Sequence, residues 1–244
     1  VEYNIPEKAY ELNVAAAAIA RRVADTYEVD GRPRYVAGSI GPGTKLPSLG
    51  HIDFATLRDS YEEQARGLLD GGSDLFLIET CMDLLQIKAA MQACRRAMKS
   101  IGREVPIQVQ VTMETTGRML VGTEIGAAYA SLQAMKPDVI GINCATGPSE
   151  MQEHLRYLSE HSLIPISVLP NAGLPSVVDG RTHYDLTPEQ LAEFHLQHVS
   201  KLGIGIVGGC CGTTPEHLRQ VVEAVRGVTP KVRIPEFEPS VSSL

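Results

Sequence analysis

Short apolar runs alternate with longer amphipathic stretches along almost the whole of this chain. The runs fall at residues 35–37, 75–78, 107–111, 139–142, 166–169 and 204–207. Helical patterns occupy 6–26, 54–69, 83–98, 125–135, 149–161 and 187–202, with a last one after Thr214. Strict strand–helix alternation means an α/β fold with a parallel sheet and helical crossovers. Two architectures satisfy it. An open doubly wound sheet gathers its ligands at one switch point. A (β/α)8 TIM barrel brings residues from many strand ends to one face. Here the chemistry-bearing residues leave several runs: Glu79, Cys144 and the pair Cys210-Cys211. That spread selects the barrel. Six strand–helix units are visible where a barrel has eight, and the leading helix implies a strand ahead of Val1.

Composition narrows the function. The 244 residues suit one large domain with a substantial core. A net charge of −7 and the lack of a Lys/Arg cluster argue against a nucleic-acid partner. No apolar run approaches the ~18 residues of a membrane span. Five cysteines, an odd number and widely spaced, fit metal or catalytic use in a reducing compartment better than a disulfide framework. The chain is read as cytoplasmic.

The most informative run is Gly208-Gly209-Cys210-Cys211-Gly212-Thr213-Thr214-Pro215. Neighbouring side chains of a strand point to opposite faces, so two adjacent thiols converge only where the strand ends or distorts. The flanking glycines permit that. A vicinal disulfide is one use of such a pair, and ligation of one metal is another. Two cysteines leave a tetrahedral site incomplete, and Cys144, in Gly141-Ile142-Asn143-Cys144-Ala145-Thr146-Gly147, is the best third sulfur. Three thiolates and one open position describe a catalytic zinc site.

Asn143-Cys144 together with the Gly208 to Pro215 run resembles the zinc motif of homocysteine S-methyltransferases. Gly38-Ser39-Ile40-Gly41-Pro42 and Ile78-Glu79-Thr80 are similar to the same family, most of all to the homocysteine-binding module of cobalamin-dependent methionine synthases. The resemblance implies Zn²⁺ held by Cys144, Cys210 and Cys211, with the sulfur of L-homocysteine as an exchangeable fourth ligand. It implies methyl transfer giving methionine, from methylcobalamin carried on another module of the same polypeptide. Alternatives within the family use a small onium donor such as betaine or S-methylmethionine. A module that binds zinc and thiol without turnover is a further alternative. The family domain begins with two further strand units, so the chain is expected to be a barrel, 1–227, lacking its first two strands. The Pro- and Ser-containing tail, 228–244, reads as a linker toward cobalamin- and folate-binding modules.

Glu79 is expected to face the substrate ammonium, the competing reading being a structural carboxylate. Asn143 is expected to orient a ligand or the substrate, a plain loop amide being the alternative. Ser39 belongs to a segment whose N–H groups could meet a carboxylate. Glu114 and Asn171 are read as loop residues. The remaining candidates take plainer roles. His195 and His198 sit on a helix expected to face outward, as a satisfied or solvated pair. His217 belongs to the start of the last helix, and Cys94 to the core. Cys81 is the one rival sulfur ligand. The glycines of residues 38–43 have the wrong spacing for a dinucleotide loop.

Overall fold

The computed structural model describes residues 5–236 and 239–240. Its elements run α1 (Ala9–Thr26), β1 (Ala37–Ile40), α2 (Phe54–Asp70), β2 (Leu75–Cys81), α3 (Leu84–Ile101), β3 (Ile107–Val111), α4 (Ile125–Gln133), β4 (Val139–Asn143), α5 (Gln152–His161), β5 (Ile166–Leu169), β6 (Pro175–Val178), β7 (Arg181–Tyr184), α6 (Pro188–Leu202), β8 (Ile206–Val207) and α7 (Pro215–Val225). The α/β alternation read from the sequence is present. No helix among the described residues is long and apolar enough to cross a membrane. The chain divides into two compact units, Val1–Val109 and Gln110–Leu244.

In the first unit the strand order is β1-β2-β3. β1 pairs with β2 in parallel, from Ala37 opposite Leu75 to Ile40 opposite Ile78. Strand 1 therefore starts two residues later than the apolar run suggested, and Gly38, Ser39 and Ile40 are strand rather than loop. Gly38 suits this place because a Cβ there would stand 2.9 Å from Ser73 Oγ and 3.2 Å from Leu68. Ile40, Phe76, Ile78 and Val109 are fully buried, as are Ile87, Met91 and Cys94 of α3. Asp53 caps α2 by accepting the Thr56 N–H at 2.9 Å, and Asp83 caps α3 through the Leu85 N–H at 2.8 Å.

Leu12, Ile19 and Val23 recur along α1 at helical spacing, but this apolar stripe does not face the core. All three are more than half exposed, and Ala17 is the helix's one buried residue. The contact is made instead by the face bearing Tyr10, Asn13, Val14 and Arg21. A Cβ at Gly67 would meet the Tyr10 carbonyl at 2.6 Å, and one at Gly71 the Val14 carbonyl at 2.5 Å. Glycines on α2 and at its end thus let the two backbones approach, and polar bonds lock them. Tyr10 donates to Asp70 at 2.6 Å and Arg21 to Asp74 at 2.8 Å.

In the second unit the order is β4-β5-β8. β4 and β5 run parallel with Gly141 opposite Ser167, and β5 pairs with β8 over two residues. A Cβ at Gly141 would lie 2.1 Å from Ser167 Oγ and 2.2 Å from its carbonyl oxygen. The room left by that glycine is where the buried Gln110 amide donates to Ser167 Oγ, at 3.0 Å. Leu191, Ala192 and Val221 form a core cluster, with Leu186, Val207 and Ala224 packed on it. α6 and α7 begin with complete capping boxes, Thr187 with Gln190 and Thr214 with His217. Ser149 is not a cap. Its hydroxyl donates to Glu150, and α5 starts later, at Gln152.

Between β5 and α6 lies an antiparallel hairpin, β6–β7, absent from the sequence reading. Its turn residues, Asp179 and Gly180, both have positive φ, 49° and 72°. After α7, residues 228–236 belong to no helix or strand. They are nonetheless fastened to the unit. Lys231 N–H donates to the Val199 carbonyl and Glu236 N–H to that of Glu160, each at 3.1 Å. Arg233 reaches the carbonyls of Ser162 at 2.6 Å and Ile164 at 2.9 Å. Residues 1–4, and residues 237–238 and 241–244 of the expected linker, lie outside the described residues.

Candidate metal centre

The three sulfurs singled out by spacing come together. Sγ atoms of Cys144, Cys210 and Cys211 all lie within 4.8 Å of one another, and this is the one such group of potential metal ligands among the described residues. Cys144 and Cys211 sulfurs are 3.8 Å apart. Cys144 and Cys210 are half-buried and Cys211 is exposed, so the group opens to solvent on one side.

Local backbone chemistry explains the convergence. β4 ends at Asn143, and the next two residues, Cys144 and Ala145, both take left-handed conformations, with φ of 61° and 58°. Such values are uncommon away from glycine and recur at functional sites. β8 ends at Val207, so Cys210 and Cys211 are free of the strand's two-face alternation. A Cβ at Gly208 would press on Leu169 at 2.5 Å, and one at Gly209 on Thr213 at 2.4 Å. Gly212 has φ of 78° and lies under the Tyr184 ring.

Residues 169–172, running out of β5, staple both cysteine-bearing loops. Leu169 O accepts from Cys144 N–H at 3.2 Å, Pro170 O accepts from Cys210 N–H at 2.8 Å, and Ala172 N–H donates to Cys211 O at 2.9 Å. Asn171 adds its side chain, Oδ1 accepting the Cys211 N–H at 3.1 Å. The same amide bonds to the Cys144 sulfur. Asn171 is therefore part of the site, where the sequence suggested a loop residue. Its one signal was its place at the end of a strand neighbouring both cysteine runs. Asn143 points its amide at the Cys210 sulfur, 3.8 Å away, and its carbonyl accepts from Thr112.

The thiols share their protons unequally. The Cys144 thiol is held well below the ordinary thiol value, at about 6, foremost by the Cys210 thiol donating to it. Burial opposes this, while the Ala145 N–H, Cys211 and the Asn171 amide assist. Cys210 is pushed up by the same bond, then by burial and by the charges on Cys144 and Cys211. Tyr184 is raised by desolvation and by the charge and hydrogen bond of Cys211, beside which it stands. Cys144 thus ionises readily, and a cation is what would let Cys210 follow.

The donor set fits zinc. Tetrahedral sulfur ligands at about 2.3 Å from the metal stand about 3.8 Å from one another, and the group offers three with an open side. Cys81 is not part of it. That thiol is fully buried in the first unit, 3.5 Å from the Glu79 carbonyl, and burial raises its pKa. Cys94 is buried in α3 as expected. Glu79 also lies in the first unit, where the Ser39 hydroxyl donates to its Oε1 at 2.6 Å. Glu114 sits in a turn closed by its own N–H to the Arg118 carbonyl. His217 completes the α7 capping box and meets the Leu186 carbonyl through Nε2 at 2.9 Å. His195 and His198 are fully buried rather than solvated.

Comparison with known proteins adds an independent line. A family model described as homocysteine S-methyltransferase matches residues 1–225. Methionine synthase of Mycobacterium tuberculosis is 53% identical over 243 residues, and that of Mycobacterium leprae 52% over 248. Both matches take in 100% of this chain, which spans only 20% and 21% of those proteins. Among solved structures, the apo form of the homocysteine methyltransferase MmuM from Escherichia coli superposes with a TM-score of 0.71 at 22% identity, covering 90% of this chain and 75% of that one. Its metallated form gives 0.70 at 22% identity, over 88% and 71%. At that identity the likeness is one of fold.

Proposed function

This chain belongs to the homocysteine S-methyltransferase family, and on that premise we propose that it is the homocysteine-activating module of a cobalamin-dependent methionine synthase. The observation that carries the reading is the Cys144, Cys210 and Cys211 group, three sulfurs within 4.8 Å with one side open. Cys144, Cys210 and Cys211 would hold Zn²⁺. Bound zinc supplies a positive charge that keeps a thiol ionised at neutral pH. Everything else is the work of the chain. The three thiolates bring negative charge to the site, which leaves an incoming sulfur electron-rich. Asn171 and residues 169–172 fix the spacing of the thiolates, so little reorganisation accompanies the reaction. Methyl transfer forms a carbon–sulfur bond on homocysteine as the bond from the methyl group to its donor breaks. Glu79, backed by Ser39, is proposed for the substrate ammonium, and Asn143 for orienting Cys210.

The finer architecture is a (β/α)8 barrel of which these strands form part. The chain is above half identical to methionine synthases of which it spans about a fifth, which leaves room on a longer polypeptide for the modules proposed here to carry methylcobalamin as donor and to bind folate. Zinc analysis of the chain and of Cys211→Ser, with and without L-homocysteine, tests the centre. About one zinc per chain, lost in the variant and moving toward four sulfur neighbours by X-ray absorption when homocysteine is added, is the expected result. A folded wild-type chain that takes up no zinc would overturn it. Supplying free methylcobalamin, betaine or S-methylmethionine in parallel then identifies the donor.

A further inference from the structure

α6 carries two histidines one turn apart, His195 and His198, and both are completely buried. His195 Nε2 stands 2.7 Å from the Gly208 carbonyl oxygen. A carbonyl only accepts, so Nε2 of His195 bears the proton. In the neutral ring Nδ1 is then a bare acceptor. Facing it at 3.4 Å is Nδ1 of His198, which must donate. That leaves His198 Nε2 as an acceptor, and the Gln152 amide of α5 lies 3.1 Å from it. The polarity runs one way: Gln152 to His198 to His195 to the Gly208 carbonyl. Each ring has a single tautomer consistent with all three contacts. Desolvation holds both rings below the ordinary imidazole value, His195 at about 4 and His198 at about 3, so both stay neutral at physiological pH.

The far end of this chain is where the fold needs it. β8 is two residues long, and Gly208 and Gly209 follow with no side chains to hold them. Two successive glycines have the most backbone freedom to lose on folding. The Gly208 N–H bonds the Val168 carbonyl at 3.2 Å, which fixes the peptide plane entering Gly208. His195, on the Gly208 carbonyl, fixes the plane that leaves it toward Gly209. Two residues on, Cys210 takes its place beside Cys144. We propose that His195 is a positioning residue for the metal centre, held in register by His198 and Gln152 and acting through the Gly208 carbonyl to aim the turn that carries Cys210 and Cys211. This rests on the zinc reading of the cysteine group.

The test uses the whole chain, wild type and the variants His195→Leu, His195→Gln and Gln152→Leu. Zn²⁺ affinity is read by competition with a chelator, and amide hydrogen exchange of residues 208–213 is read on the metal-free protein. His195→Leu should weaken zinc roughly 10- to 100-fold, the usual cost of losing a group that orients a ligand. It should speed exchange in residues 208–213 and nowhere else. His195→Gln keeps a donor of similar reach and should restore affinity to within a few-fold. Gln152→Leu should fall between, and it decides the matter if His195→Leu does not fold. Unchanged affinity and unchanged local exchange in these variants would overturn the proposal, as would exchange that quickens throughout α5, α6 and the sheet. A wild-type chain that binds no zinc would sink the metal reading alone. Localised exchange in His195→Leu would then still support the hold on the turn.

Discussion

Asn171 and Cys211 are joined by a hydrogen bond from the cysteine's backbone N–H to the amide oxygen, 3.1 Å long, while the same amide bonds the Cys144 sulfur. One side chain thus ties the two cysteine-bearing loops together. Asn171→Ala should keep the fold and lower zinc affinity roughly 10- to 100-fold. Asn171→Asp keeps the acceptor, exchanges a donor for a negative charge beside the sulfurs, and should be worse at neutral pH. Chelator competition on both variants gives the comparison.

The five thiols should separate cleanly by reactivity in the metal-free protein. Cys144 is the readiest to ionise and should be alkylated first by iodoacetamide. Cys81 and Cys94, whose thiols burial pushes up, should react only after unfolding. Added zinc should protect Cys144, Cys210 and Cys211 and leave the other two unaffected. Peptide mapping by mass spectrometry reads all five at once. Early labelling of Cys81 would contradict the burial described here.

The buried histidines make stability depend on pH with a definite sign. Their folded values, about 4 and about 3, lie below the ordinary value of 6.5. Above pH ~6.5 neither state is protonated and stability is at its full value. As the pH falls from 6.5 toward 4, the unfolded chain binds two protons that the folded chain refuses. Each contributes a loss of about 1.4 kcal/mol per pH unit. Urea unfolding at pH 6 and pH 5 should differ by about 2 kcal/mol more in the wild type than in His195→Gln/His198→Gln. Equal pH dependence in the two proteins would mean that the rings titrate normally.

Gly141→Ala places a methyl group about 2 Å from both the hydroxyl and the carbonyl oxygen of Ser167. The carbonyl is part of the sheet and cannot swing away. A loss of about 3 kcal/mol in urea unfolding is expected, at the upper end for overpacking. Adding Ser167→Ala should recover little, because the carbonyl contact remains. Full recovery in the double variant would show that the hydroxyl alone was the obstacle.

How far the sequence revealed this molecule depended on the kind of signal. β3 and β5 were placed to the residue, because buried parallel strands read as unbroken apolar runs. Asp53, Thr187 and Thr214, which cap α2, α6 and α7, are of the residue types that position favours. The hairpin was missed even though Asp179-Gly180 between Val178 and Arg181 is a recognised hairpin turn. Its valines face outward, so no apolar alternation announced it. On α1 the visible stripe misled, since the docked face is set by glycines on the neighbouring helix. The three cysteines were legible because sulfur, glycine and strand ends coincided. Asn171 and His195 were not, because each acts on a backbone group of a residue distant in sequence, and backbone groups leave no mark in residue type.

The grip of Arg233 on the Ser162 and Ile164 carbonyls changes where this unit lets go of its chain. The chain stays attached as far as Glu236, beside α5, well past Val225 where α7 ends. A loose segment of that length would span about 18 Å root-mean-square. In a polypeptide as long as the mycobacterial relatives, a pivot placed beyond that slack narrows the arc a tethered neighbour can sweep. A shorter arc raises the neighbour's local concentration at whatever part of this surface it can still reach.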